Sequence, residues 1–233
     1  MFELNSLYNI DCMEAMKHIP DKFFNLAICD PPYGIGIDGQ RERIHKNVKH
    51  NRKHHAKKGW DKDTPPPEYF MELERVSINQ IICGGNYFAP MLSKGTKGWI
   101  VWDKGQHGLS MSDCELIYTS FNFPTRVIVI NRAALQQDGE TIHPTQKPVR
   151  LYKWILQHYA QPGDRVLDTH AGSASSLVAC HDMRHEYLGF EIDKGYFEAA
   201  TARLELTRAQ LTLFDVPEGG GKIEANQMQF IGV

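Results

Sequence analysis

The last third of the chain alternates strand-like and helix-like segments, and this alternation restricts the fold more than any other feature. Pro148 opens a segment with Leu151, Trp154, Ile155 and Tyr159 at the spacing of one helix face. Gln161-Pro162-Gly163-Asp164 ends it, and Arg165-Val166-Leu167-Asp168 reads as a strand closed by a carboxylate. Small residues from Thr169 to Ser175 then make a turn, and a helix is expected from about Ser176. A strand over 187–190 follows, then Glu191 and a helix carrying Phe197, Ala200 and Leu204 on one face. Strands joined through helices run parallel. The expected class is therefore α/β, a doubly wound, mainly parallel sheet with ligands at the carboxyl ends of its strands.

The N-terminal part fits the same plan. Residues 5–8 suggest a strand, and Asp11 is placed to cap a short helix reaching His18, with Met13, Met16 and Ile19 at helical spacing. Phe24-Asn25-Leu26-Ala27-Ile28-Cys29 reads as a short buried strand. A helix is expected after Pro65-Pro66-Pro67, with Phe70, Leu73 and Val76 on one face. Strand-like runs follow at 80–83, 99–102, 115–118 and 126–130, separated by the turn-rich Gly84-Gly85-Asn86 and 104–112. We find no internal repeat, and 233 residues suit one domain over 1–233. Two segments stand apart from it: a basic loop insert at about 39–66 and a loose tail at about 214–233.

Composition excludes several classes. No apolar run approaches a membrane span, and nothing at the N-terminus reads as a signal peptide. The five cysteines are scattered and odd in number, which suits reduced thiols in a cytoplasmic protein rather than a disulfide frame. A formal net charge of −2 excludes a general polyanion binder, so any nucleic-acid contact needs a local basic patch. Arg41, Arg43, Lys46, Lys49, Arg52 and Lys53 form such a patch within the insert. His50 and His54 share that segment, but without a Cys-x-x-Cys or a helical pattern no metal site is expected.

Two constellations carry chemistry. Asp30-Pro31-Pro32-Tyr33 follows the 24–29 strand, and two prolines cannot continue a sheet ladder. The chain must break there into a stiff turn, leaving the Asp30 carboxylate beside the Pro31 carbonyl with an aromatic ring two residues on. Two acceptors and a ring suit a flat molecule with an exocyclic amine. A plain Pro-Pro turn is the competing reading. In the second constellation, Asp168-Thr169-His170-Ala171-Gly172-Ser173-Ala174-Ser175 is followed roughly 20 residues on by Glu191, as where a carboxylate holds ribose hydroxyls. With Gly172 as the turn's lone glycine, the glycine-rich cradle of a pyrophosphate is missing. A ribose-bearing, phosphate-free ligand such as S-adenosylmethionine fits better than a dinucleotide. The competing reading is an ordinary strand–turn–helix with an unrelated acid.

With these residues in order, the chain resembles the amino-group DNA methyltransferases of the permuted, beta-class arrangement, and is most similar to their small phage and prophage-type adenine-N6 members. Asp30-Pro31-Pro32-Tyr33 precedes the cofactor turn, as in that family. Tyr8-Asn9-Ile10-Asp11-Cys12 resembles the segment holding the cofactor adenine, and Ile82-Cys83-Gly84-Gly85-Asn86-Tyr87-Phe88 the strand and turn after the catalytic loop. His143-Pro144-Thr145-Gln146-Lys147-Pro148 resembles the entry to the methionine-side helix, and Gly189-Phe190-Glu191-Ile192-Asp193 the ribose-binding strand end. One departure is visible: the family's Phe-x-Gly-x-Gly turn is His170-Ala171-Gly172-Ser173-Ala174 here, with a methyl in place of the last glycine.

The resemblance implies a circularly permuted, Rossmann-like sheet of seven strands and S-adenosylmethionine as methyl donor. It implies Asp30, Pro31, Pro32 and Tyr33 as the catalytic turn, with Tyr33 stacking on a base flipped out of duplex DNA. Asp11 and Cys12 are expected near the cofactor adenine and Glu191 at the ribose. Asp30, Thr145, Lys147, Asp168, His170, Gly172 and Ser173 are expected around the rest of the cofactor. Target recognition falls to 39–66 and about 103–142. Double-stranded DNA is the implied partner; a homodimer and a cognate restriction endonuclease are left open. The leading reading is adenine-N6 transfer, because the family's cytosine enzymes more often carry Ser where Asp30 stands. Cytosine-N4 transfer uses the same amine chemistry, and a catalytically silent DNA-binding module on the same fold is the alternative of a different class.

Overall fold

The computed structural model describes residues 2–39, 56–92, 97–108, 112–131, 134 and 141–210. In chain order the elements are β1 (Ser6–Tyr8), α1 (Cys12–Met16), β2 (Phe24–Cys29), α2 (Pro67–Val76), β3 (Ser77–Cys83), β4 (Trp99–Asp103), β5 (Cys114–Thr119) and β6 (Arg126–Val129). They continue with α3 (Val149–Tyr159), β7 (Arg165–Asp168), α4 (Ser175–Asp182), β8 (Glu186–Phe190) and α5 (Lys194–Ala209).

The strands form one sheet in the order β1-β8-β7-β2-β3-β5-β4-β6. The expected seven strands are eight, because the three-residue β1 pairs in parallel with β8 and covers the edge that β8 would otherwise present. The sheet is mainly parallel, with one exception: β5 runs antiparallel to both β3 and β4. The cause is local. β4 and β5 are joined by a ten-residue segment closed by Lys104 N donating to Asp113 O, shorter than the dozen or so residues a parallel crossover needs, and such a link makes a hairpin.

Helices cover both faces, so the strands read as unbroken apolar runs. Leu26, Ile28, Ile81, Ile100, Ile117 and Val166 face α3 and α4, with Ala200 and Leu204 of α5. Ala27, Cys29, Ile82, Leu167, Leu188 and Phe190 face α1 and α2. Each fully buried aliphatic side chain contributes about 1.5–3 kcal/mol. Asp11 caps α1, accepting from Met13 N and Glu14 N, and Arg75 of α2 donates to the Met16 and Ile19 carbonyls at the other end. From β2 the chain crosses through α2 to β3; from β7 it crosses through α4 to β8, in the opposite direction along the sheet. The crevice beyond the carboxyl ends of β2 and β7 is thus a topological switch point, where open α/β sheets bind ligands.

Candidate active site

Three neighbouring strands deliver acids to that crevice. β2 ends at Asp30, β7 at Asp168, and β8 runs into Glu191. One cavity of about 560 Å³ lies over them, and its lining joins the two constellations. Asp30, Pro31, Pro32 and Tyr33 line one part, and His170, Gly172, Ser173 and Glu191 another, with Thr145 and Lys147 between. Asp11, Cys12 and Asp168 are absent from the lining. Asp11 serves as the α1 cap, and burial pushes the Cys12 thiol up to about 12. Asp168 is buried below the turn, where it accepts from His170 N (3.0 Å) and the Ser176 hydroxyl. Burial pushes its carboxyl up to about 7, while the same burial takes the His170 ring down to about 4.

The Asp30–Tyr33 turn opens into a buried ion cluster. Lys147 Nζ lies 2.6 Å from Asp30 Oδ1, 3.1 Å from Glu115 Oε1 and 3.0 Å from the Tyr33 hydroxyl, so its three protons meet three acceptors. The Tyr33 hydroxyl is itself within donating distance of Asp30 Oδ1 (2.7 Å) and Glu115 Oε1 (2.8 Å). Lys104 reaches the other Glu115 oxygen at 3.2 Å. Two carboxylates and two ammonium groups balance in charge. Burial works against an ionised Glu115, but Lys147 and Lys104 outweigh it and hold its carboxyl below the usual range. At Asp30 burial prevails over Lys147, with the Glu115 charge adding to it, and the carboxyl is raised. Asp30, Cys83 and Glu115 have the separations of a metal-ligand set, but the Lys147 ammonium already supplies the cation between the two acids.

The Tyr33 hydroxyl and the Lys147 ammonium both meet Asp30 at Oδ1. Tyr33 is set by its surroundings. Its ring stacks on Tyr87 (centroids 4.9 Å apart, planes 16° apart) and packs over Gly84, which has φ +67° and where a Cβ would run into the ring. Tyr33 and Tyr87 together form an aromatic wall of the cavity.

The segment leaving this turn is gripped by Asp61. The buried Asp61 carboxylate accepts from the backbone N–H groups of Tyr33 (2.8 Å), Gly34 (2.9 Å) and Ile37 (2.8 Å). Neighbouring residues reach the opposite side of the cavity: Trp60 packs against His143, and Lys58 pairs with Asp193 (2.5 Å) over the Tyr196 ring. The Glu191 carboxylate accepts from Gly172 N and Asp193 N, both at 2.8 Å, one on each oxygen. The last turn position is left-handed, since Ala174 has φ +57°. An alanine there costs about 1–2 kcal/mol, a strain the family's glycine avoids.

Sequence reasoning missed Glu115, Asp61, Trp60 and Tyr196. Glu115 was visible only as an acid inside a strand-like run, and Asp61 only as the first acid after the basic stretch. Arg41, Arg43, Lys46, Lys49, Arg52, Lys53, His50, His54 and the tail at 214–233 lie outside the described residues. All five cysteines are free, and among the described residues no helix is long and apolar enough to cross a membrane.

A family model described as DNA methylase, of the N6/N4 methyltransferase type, was matched against this chain. Residues 92–202 match it. The methylase match contains Glu115, Lys147, Asp168 and Glu191, while Asp30-Pro31-Pro32-Tyr33 lies N-terminal to it. The chain is also 22% identical over 249 aligned positions to the Type II methyltransferase M.HinfI of Haemophilus influenzae, covering 86% of this chain and 68% of that protein. The fold is that of the crystal structure of the M1.HpyAVI–SAM complex, with TM-score 0.58, 19% identity, and 85% and 98% of the two chains covered. It is shared equally by the cytosine-N4-specific PvuII DNA methyltransferase, with TM-score 0.57, 13% identity, and 87% and 89% covered.

Proposed function

We propose that this chain is a site-specific DNA methyltransferase that transfers a methyl group from S-adenosylmethionine to the N6 amine of a flipped-out adenine. The observation carrying this reading is one cavity lined by Asp30, Pro31, Tyr33 and Tyr87 and also by Gly172 and Glu191. The cavity volume suits a nucleoside-sized ligand.

The lining fits the proposed donor. Each Glu191 oxygen has spent one lone pair on a backbone N–H and keeps another for a ribose hydroxyl. Among the described residues, the lysines of the lining, Lys104 and Lys147, are both committed to Glu115 and no arginine lines it, so none of them answers phosphate charge. S-adenosylmethionine, when bound, supplies a methyl group activated by a sulfonium. Glu191, Gly172, Ser173, Thr145 and His170 are the residues that would hold it; Lys147 and Asp168 act from behind, through Asp30 and the turn backbone.

The chain's own part is to prepare the amine. The lone pair of an exocyclic amine is delocalised into its ring, and acceptors aimed at the two N–H bonds favour the pyramidal nitrogen that can attack. Asp30 Oδ2 and the Pro31 carbonyl are those acceptors, and the Tyr33–Tyr87 wall is the surface on which the base stacks. Positioned acceptors and in-line approach supply the rate, and no covalent intermediate on the enzyme is needed. The buried cysteines are poor nucleophiles in any case, with the Cys29 thiol pushed up to about 12 by burial. Expressing the chain in a host free of DNA methylation and sequencing the modified genome tests this reading. N6-methyladenine in a fixed context is the expected result, N4-methylcytosine selects the sister chemistry, and an unmodified genome rejects the activity.

A further inference from the structure

We propose that Glu115 is a positioning residue for Asp30: it anchors the Lys147 ammonium on the far side of Asp30 Oδ1 and so keeps Oδ2 open to the target amine. This role rests on the amino-methyltransferase reading above. The geometry supporting it is the division of the four charges. Glu115 gives Oε1 to Lys147 and Oε2 to Lys104, so it is held from two sides. Lys147, buried with 5% exposure, spans Glu115 and Asp30 and meets Asp30 at Oδ1. The Tyr33 hydroxyl closes the triangle on those same two oxygens. Without the Glu115 charge, the ammonium has Asp30 as its one carboxylate. A buried ammonium beside a single carboxylate is drawn across both oxygens, because nothing else nearby compensates its charge. The oxygen meant for the amine is then occupied.

The same arrangement gives a signature that simple loss of packing lacks. Asp30 is faced by Lys147 from the turn before α3, Glu115 from β5, Tyr33 from its own turn, the Cys83 thiol of β3, Tyr152 of α3 and Asp168 of β7. Of these, Glu115 and Asp168 are its like-charged neighbours, and Glu115 acts directly on it. Replacing Glu115 with glutamine removes one negative charge and strengthens the claim of Lys147 on Asp30. Both effects favour the ionised carboxylate, so Asp30 loses its proton at lower pH.

The experiment compares wild type, E115Q, E115D and D30A on genomic DNA from a methylation-free host, with labelled methyl donor. E115Q is expected to lower kcat about 100-fold, in line with misplacement of a reacting group. Its KM for the donor is expected to stay within about twofold of wild type, and the acid limb of kcat to move to lower pH. E115D, which keeps the charge, is expected to hold the wild-type acid limb and recover part of kcat. A readout independent of activity is a thermal-unfolding cycle. K147M is expected to lower Tm by leaving Asp30 without its cation and Glu115 with Lys104 alone, and K147M/E115Q to recover part of that loss. An active wild type with an E115Q variant of unchanged kcat and acid limb overturns the role of Glu115. So do additive Tm changes across the cycle, or donor binding lost together with Tm in both E115Q and E115D. A wild-type chain that methylates no DNA removes the functional reading, and the role of Glu115 with it.

Discussion

Asp30 and Glu191 line one cavity from strand ends on either side of β7, yet their surroundings differ. Asp30 is tied on Oδ1 by Tyr33 and Lys147, whereas Glu191 is tied on both oxygens by backbone donors beside the glycine turn. D30A is expected to abolish methyl transfer with donor binding retained within a few-fold, and E191A to weaken donor binding by about 1.5–3 kcal/mol, the worth of hydrogen bonds to a charged group. Calorimetry with S-adenosylhomocysteine separates the two; equal loss of donor binding in both folded variants contradicts the division. Asp168 makes a separate prediction through pH. Its folded-state pKa is about 7, raised by burial, against an ordinary value of 3.8. The folded chain therefore favours the protonated acid, and its contribution to stability, full below pH 4, is lost as pH rises toward 7. His170, lowered to about 4, works in the opposite direction over an overlapping range, so the wild type masks the slope. D168N removes the acid's part, and the stability of wild type relative to D168N is expected to fall by up to about 4 kcal/mol between pH 4 and 8, read from denaturant midpoints.

The elements were readable to different depths. β2 and β7 lie where their apolar runs are bounded by a Pro-Pro turn and by Pro-Gly-Asp, because strand ends of that kind are decided by the residues at the ends. The Asp11 cap and the α2 start after the three prolines are equally local. The direction of β5 was not readable, since an apolar run carries no sign of which way its neighbour runs; the short link from β4 decides it. Nor was the hold on the Tyr33–Ile37 segment, because its three N–H groups are met by a single carboxylate more than twenty residues on. D61A leaves those donors without their acceptor. It is expected to cost about 3 kcal/mol or more of stability and to reduce kcat far more than donor affinity, checked by thermal unfolding and steady-state kinetics. A variant with wild-type kcat shows that the turn holds its own shape.

On the proposed function, the whole molecule has to bring a polyanion to a cavity while carrying a net charge of −2. The basic residues Arg41, Arg43, Lys46, Lys49, Arg52 and Lys53 follow directly after the catalytic turn in sequence, and the chain from Lys58 to Asp61 re-enters the fold against both sides of the cavity. Replacing the six with glutamine is expected to weaken DNA binding and flatten the log K against log salt slope by about 0.9 for each phosphate that is no longer neutralised. An unchanged slope excludes the segment as a phosphate clamp. Much of the architecture was contained in the order of residues alone: an α/β sheet, its two acidic strand ends, a Pro-Pro turn suited to an amine, and a glycine-poor turn unsuited to pyrophosphate. These follow from apolar period, capping and backbone chemistry, which act over a few residues. Only the tertiary structure decided which charges surround Asp30. Tyr33 and Lys147 are 114 residues apart in the chain, and Tyr33 and Glu115 are 82 apart. Their meeting depends on strand order and on a buried site that cannot leave any of its charges unpaired.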